Sequence, residues 1–268
     1  MLGRLFGRDH TAGPAGETID DQMPWVPDGR AAAEFAVANL ISYLADAHRD
    51  LRSALVESLM TTAGALAGFA AQHAIWESVV KPGRLPEHGG PNLRAGAFVV
   101  ATTPSGEKFY FGDLLNAYLV PKDTLVVPLG PGAFTLWGIV GSAVVACGRP
   151  PLDPAAVAEI FRHVAASIDS AEFGLPRLPP GHAPVLAPRD ALNAAWPAAR
   201  DILARADAPA APGRRVAPEH WPAVCALVAH KLVLATRDAL DPALSMRILF
   251  EAAVPMSKLD PASVRATA

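Results

Sequence analysis

The segment 61–73, TTAGALAGFAAQH, limits the fold more than any other part of the sequence, because it is a helix-forming stretch with almost no bulky side chains. Its residues include five alanines, two threonines and two glycines. A glycine inside a helix costs about 1 kcal/mol relative to alanine, so another interaction must offset that cost. The segment therefore predicts a helix that either packs very close to a neighbouring helix or lines a cavity.

One face of this helix carries a set of small and polar residues. Gly64 and Gly68 are one turn apart, which is the spacing that lets two helix backbones approach closely. Two interpretations stay open: a tight helix crossing, in which the polar residues at the ends bond to the neighbour's backbone, or a ligand pocket with the glycines as its floor. The candidate ligand-binding residues are Glu57, Thr61, Gly64, Gly68, Gln72 and, as a titrating group, His73.

Most of the remaining sequence has helical periodicity. Asp153, Asp241 and Asp260 each precede a proline, an arrangement that predicts an N-capping carboxylate followed by proline at the first helical position. The segment from Asp153 places Val157, Ile160 and Val164 on one apolar face. Helices are predicted over 31–47, 51–80, from 153, and over 190–205, 218–239 and 242–254.

A short β element is predicted after the second helix. The apolar stretches 98–100 and 109–111 flank TPSGEK, in which Pro104 and Gly106 suit a tight turn. An isolated hairpin is marginal in water, so this one needs a partner. The partner could be a third strand at 124–127, the helices, or another subunit. The predicted fold class is mainly α, a multi-helix globular bundle with a small β-hairpin or three-stranded β element.

The domain organisation follows from composition. We expect an extended N-terminal arm over 1–30, which is rich in Gly, Pro, Asp and Thr, and a helical core with the β element over 31–175. A proline-rich connection follows over 176–189, and C-terminal helices over 190–268 pack on the same core.

Charge and cysteine usage exclude several classes of function. The net charge is only −3 and no stretch gathers like charges, which argues against nucleic-acid binding and against a polybasic membrane anchor. The uncharged segment 124–148 is broken by prolines and glycines, so a buried central helix is a better interpretation than a membrane span. The start of the sequence lacks the apolar core of a signal peptide, and both cysteines lie in apolar runs. These features predict a cytoplasmic protein with reduced thiols.

The sequence contains no complete catalytic, metal-binding or phosphate-binding motif. His73 and Glu77 are one turn apart, as are Glu159 and His163, but neither pair has the spacing or the extra carboxylates of helical di-metal sites. The glycines around Pro131 form only a partial phosphate-binding pattern, because proline removes one amide donor. No short hydrolase, nucleotide or zinc motif occurs. We therefore predict no catalytic residue, no metal and no cofactor.

Two functions follow from these features. The first is association without catalysis, either as a homo-oligomer or with a protein partner, supported by the small-residue face and by a hairpin that lacks a partner. The second is a small-molecule binding protein or enzyme with its pocket on the Glu57–Gln72 helix face.

Overall fold

The structure is a computed structural model that describes residues 29–49, 55–81, 99–121, 134–204 and 215–264. These residues form eight α-helices and one antiparallel hairpin, so the predicted mainly-α fold with a small β element after the second helix is confirmed. The helices are α1 Arg30–Ala47, α2 Leu55–Ile75, α3 Asp113–Leu119, α4 Leu136–Ala146, α5 Pro154–Ser167, α6 Pro188–Ala204, α7 Trp221–Thr236 and α8 Pro242–Met256.

Helix α2 is the centre of the molecule. Every residue of it from Ser58 to Gln72 is buried, and α1, α6, α7 and α8 all pack against it. A helix that is buried all round must present apolar or small residues on every side, which explains its alanine-rich composition. A π-helical turn, Trp76–Val80, extends α2.

Gly64 and Gly68 lie where α2 crosses α8. A Cβ atom at position 64 would lie 2.9 Å from the Cα atom of Leu249, and one at position 68 would lie 2.7 Å from the carbonyl carbon of Ala253. Real Cβ atoms do not approach backbone atoms so closely. Because the contacted residues are also one turn apart, the two helices run side by side in the same direction. The glycines thus allow α2 and α8 to pack backbone against backbone.

The helix starts show which capping signals the chain uses. Asp153 and Asp241 cap α5 and α8 through hydrogen bonds from the backbone amides of Ala155 and Ala243, as predicted. Asp260 instead accepts a bond from the amide of Ala262 in a turn over 261–264, so the prediction of a helix start there is wrong.

The hairpin consists of β1 Val99–Thr102 and β2 Lys108–Phe111, with Gly106 in the turn at φ 85° as its position predicts. The second edge of β2 is covered by the segment after α8. There the amide of Tyr110 donates to the carbonyl of Lys258 over 2.8 Å, and Phe109 forms a bridge with Leu259. The alternative third strand at 124–127 lies outside the described residues.

The lengths of the helices bear on whether the chain could span a membrane. Within the parts of the chain that the structure describes, no helix combines the length and the apolarity needed to cross a bilayer. Helix α4, from the uncharged segment, is 11 residues long and begins after the N-cap Thr135, whose hydroxyl accepts a bond from the amide of Gly138. The sequence also suggests Gly130 as an N-cap with Pro131 at the first helical position, but these two residues lie outside the described residues.

Candidate functional site

The predicted ligand-binding face does not form one open pocket, because α8 covers its two glycines. At the start of the face, the Glu57 carboxylate accepts a hydrogen bond from His182 Nδ1 over 3.0 Å. This contact ties α2 to the proline-rich connection. The structure therefore gives Glu57 and the glycines different neighbours, and ligand binding by the six residues stays a prediction.

Two polar atoms on this face are buried without a partner. The hydroxyl of Thr61 and the side-chain carbonyl of Gln72 have no hydrogen-bond partner among the described residues. Both residues are 1% exposed. A buried polar atom without a partner costs about 1–3 kcal/mol. Thr61 and Gln72 lie one turn outside the glycines, so the unpartnered atoms flank the tight crossing.

Replacing Thr61 with valine should raise the free energy of unfolding by about 1 kcal/mol, because it removes an unpaired buried hydroxyl and keeps the shape of the side chain. The neighbouring Thr62 is the matched control. Its hydroxyl lies 3.0 Å from His48 Nε2 and 2.9 Å from the carbonyl of Ser58, so Thr62→Val should lower stability by about the same amount. Urea unfolding would measure both, and equal effects of the two substitutions would contradict the prediction.

His73 lies at the far end of the face in an aromatic setting. Its ring stacks on Trp221 with centroids 4.9 Å apart and meets the edge of Trp196 at 5.5 Å. Burial lowers the pKa of His73, against the opposing effect of the Glu77 carboxylate. The imidazole is thus held in its neutral form between two indoles contributed by α6 and α7, a contact that stabilises helix packing.

The outer edge of the hairpin, on β1, exposes both backbone groups and apolar side chains. The amide of Tyr110 points away from β1, toward Lys258, so the Val100–Tyr110 pair is one of the non-hydrogen-bonded pairs of the ladder. The N–H and C=O of Val100 consequently point outward from β1. No backbone partner for them occurs among the described residues.

The side chains of this edge are also exposed. Val99 is 50% exposed and Val100 is 47% exposed, although they point to opposite faces of the strand. Edge strands usually carry a charge or a proline that blocks pairing with another chain, and the strand sequence VVAT has neither. The outer edge of β1 therefore combines apolar side chains with backbone groups that have no backbone partner in the described part of the chain.

Lys258 is a buried lysine that sequence reasoning missed. It is 2% exposed, and its Nζ donates to Asn116 Oδ1 over 2.7 Å. The rings of Phe161 and Phe111 lie 5.3 and 5.8 Å from Nζ, within the range of cation–π attraction. Burial lowers the pKa of Lys258 to about 7. No local pattern could reveal this lysine, because its surroundings come from β2, α3 and α5.

The carboxylates of the two carboxylate–histidine pairs noted in the sequence bond to other residues. Glu77 forms an ion pair with Lys81, and Glu159 forms one with Arg177. Across the described ranges, no group of three or more His, Cys, Asp or Glu side chains is placed to hold a metal ion. No protein family, curated protein or solved structure was found to match the chain.

Proposed function

We propose that the protein acts by self-association, and that two copies pair through the outer edge of β1. The observation that carries this proposal is the outward-facing backbone of Val100 on a strand with exposed apolar side chains. An antiparallel pair of β1 strands would join two hairpins into one four-stranded sheet. Strand addition of this kind supplies main-chain hydrogen bonds for affinity and side chains for specificity.

The partner we propose is a second copy of the same chain. In an antiparallel pair around a two-fold axis, each strand offers the same N–H and C=O groups that the other requires, so the edge is complementary to itself. The exposed Val99 and Val100 of both copies would pack across the new ladder. The segment of Lys258 and Leu259 already covers the edge of β2, so within the described residues β1 has the one uncovered edge of the hairpin.

We also propose that the protein is cytoplasmic. Cys147 and Cys225 are both free thiols, which fits a reducing compartment. Burial raises the pKa of the Cys225 thiol to about 12, so this cysteine is the unreactive thiol form.

Replacing Val100 with proline should weaken the dimer. Proline removes the outward N–H and leaves the ladder with β2 intact, because position 100 is not hydrogen-bonded to β2. Two hydrogen bonds are lost per dimer, one from each copy, so the dimer Kd should rise about 30-fold. Analytical ultracentrifugation over a concentration series would measure the dimer Kd of both proteins.

The control is Val100→Thr, which keeps the N–H and a β-branched side chain, and which should remain dimeric. The circular dichroism spectra of both variants should match that of the unmodified protein. A chain that sediments as a monomer at all concentrations would overturn the proposal, and so would a Val100→Pro variant that dimerises as tightly as the control.

A further inference from the structure

A cavity of about 240 Å³ lies between α1, α2 and α6, on a different side of α2 from the glycines. Its wall contains buried residues of α1 and α2 and exposed residues of the connection before α6, so it extends from the core to the surface. The alanines that α6 contributes leave the space open. A cavity of about 150 Å³ is large enough for benzene, so this one suits a molecule somewhat larger than a single ring.

Three buried polar side chains line this cavity, His48, Ser58 and Thr62, together with the half-buried Tyr43. His48 Nδ1 is 2.9 Å from the carbonyl oxygen of Leu44, and a carbonyl can only accept, so Nδ1 carries the proton. In the neutral ring Nε2 is then an acceptor, and it lies 3.0 Å from the hydroxyl of Thr62. The Leu44 carbonyl thereby orients the ring toward Thr62.

The two hydroxyls offer complementary groups to the cavity. The Ser58 hydroxyl accepts a bond from the amide of Val185 over 2.9 Å and keeps its own proton to donate. The Thr62 hydroxyl has one proton, which it donates either to the Ser58 carbonyl at 2.9 Å or to His48 Nε2 at 3.0 Å, and in both cases its oxygen keeps a lone pair that can accept. Ser58 and Thr62 are one turn apart on the same face of α2, so a single ligand group that both donates and accepts can bond to both.

The chemistry of the wall also limits the charge of the ligand. Among the described residues that line this cavity there is no Asp, Glu, Lys or Arg. A charged molecule would therefore lose its hydration without gaining an ion pair. An apolar body would instead be stabilised by the aliphatic side chains, which include Leu44 and Val185.

We infer that this cavity binds a small neutral molecule with an apolar body and one hydroxyl group, held by Ser58 and Thr62. The site is independent of the β1 edge, so it can be tested whether or not the protein is a dimer. Suitable probes are 4-methylphenol and p-xylene, which have nearly the same shape and differ by a hydroxyl in place of a methyl group.

Isothermal titration calorimetry on the full chain should show 4-methylphenol binding about tenfold more tightly than p-xylene, because the hydroxyl adds hydrogen bonds that the methyl cannot make. In Thr62→Val and in Ser58→Ala the preference should fall to about threefold or less. Ser58→Ala keeps the test intact if Thr62→Val does not fold. NMR cross-peaks between the probe and the ring of His48 would locate the bound molecule.

Three outcomes would overturn the inference. They are no binding of 4-methylphenol at millimolar concentration, equal binding of the two probes to the unmodified protein, and cross-peaks that place the probe away from His48.

Discussion

Replacing Gly68 with alanine should lower the free energy of unfolding by about 2 kcal/mol or more, although alanine is the better helix former. The added Cβ would lie 2.7 Å from the carbonyl carbon of Ala253, and the atoms it meets are backbone, which cannot rotate away. The two helices must separate, and a clash this close with backbone atoms should cost about 3 kcal/mol or more, the upper end of the range for overpacking. The gain in helix propensity, about 1 kcal/mol, offsets only part of that cost.

Gly141 provides the matched control, since it also lies inside a helix. A Cβ at position 141 would lie 3.5 Å from the Cβ of Pro151, which is an ordinary contact. Gly141→Ala should therefore leave stability unchanged or raise it by up to about 1 kcal/mol. Urea unfolding followed by circular dichroism would compare the two variants. If Gly68→Ala were as stable as Gly141→Ala, the close approach of α2 and α8 would be wrong.

Lys258→Met should change how stability depends on pH. Lysine has an ordinary pKa of 10.5, and burial lowers the pKa of Lys258 to about 7 in the folded protein. Each pKa unit corresponds to about 1.4 kcal/mol, so the charged form disfavours the folded state by about 5 kcal/mol relative to the neutral form. Methionine fills similar space without the charge, so the variant should be more stable than the unmodified protein at pH 6.

The direction of the pH effect follows from proton binding. Between pH 7 and 10.5 the unfolded chain holds a proton on Lys258 that the folded chain has released, so the contribution of Lys258 to stability improves as pH rises through this window and is constant below it. From pH 6 to pH 9 the advantage of Lys258→Met should shrink by about 3 kcal/mol. Thermal or urea unfolding of both proteins between pH 6 and pH 9 would measure this change in the stability difference.

Lys108 is the control for this measurement, because it is a lysine on β2 that is exposed to water. Lys108→Met should keep a constant stability difference from the unmodified protein between pH 6 and pH 9. If Lys258→Met also showed a constant difference, Lys258 would have to be charged and hydrated in the folded protein, contrary to its burial.

The elements of this fold could be predicted where a signal is local in the sequence. Asp153 and Asp241 determine their helix starts through their own side chains and the two or three amides that follow them. Gly106 could be placed in the hairpin turn because the left-handed backbone there favours glycine. The spacing of Gly64 and Gly68 likewise points to a close approach of two backbones.

The partners of these elements could not be predicted, because they lie far away in the sequence. Nothing near Gly64 indicates that Leu249 faces it, and nothing near Lys258 indicates that Asn116 accepts its bond. Asp260 shows the limit of local reasoning. It has the same following proline as the two true caps, but the chain there has already turned to pair with β2, and it forms a turn.

The packing of α2 against α8 has a consequence for how the chain folds. The central helix α2 packs backbone against backbone on α8, the last described helix. The free edge of β2 pairs with Lys258 and Leu259, directly after α8. Contacts between such distant parts of a chain form slowly, because a long loop must close first. During synthesis, the alanine and glycine surface of α2 that α8 covers in the folded protein stays exposed until α8 has left the ribosome. Apolar surface that is exposed in this way promotes aggregation of an incompletely folded chain.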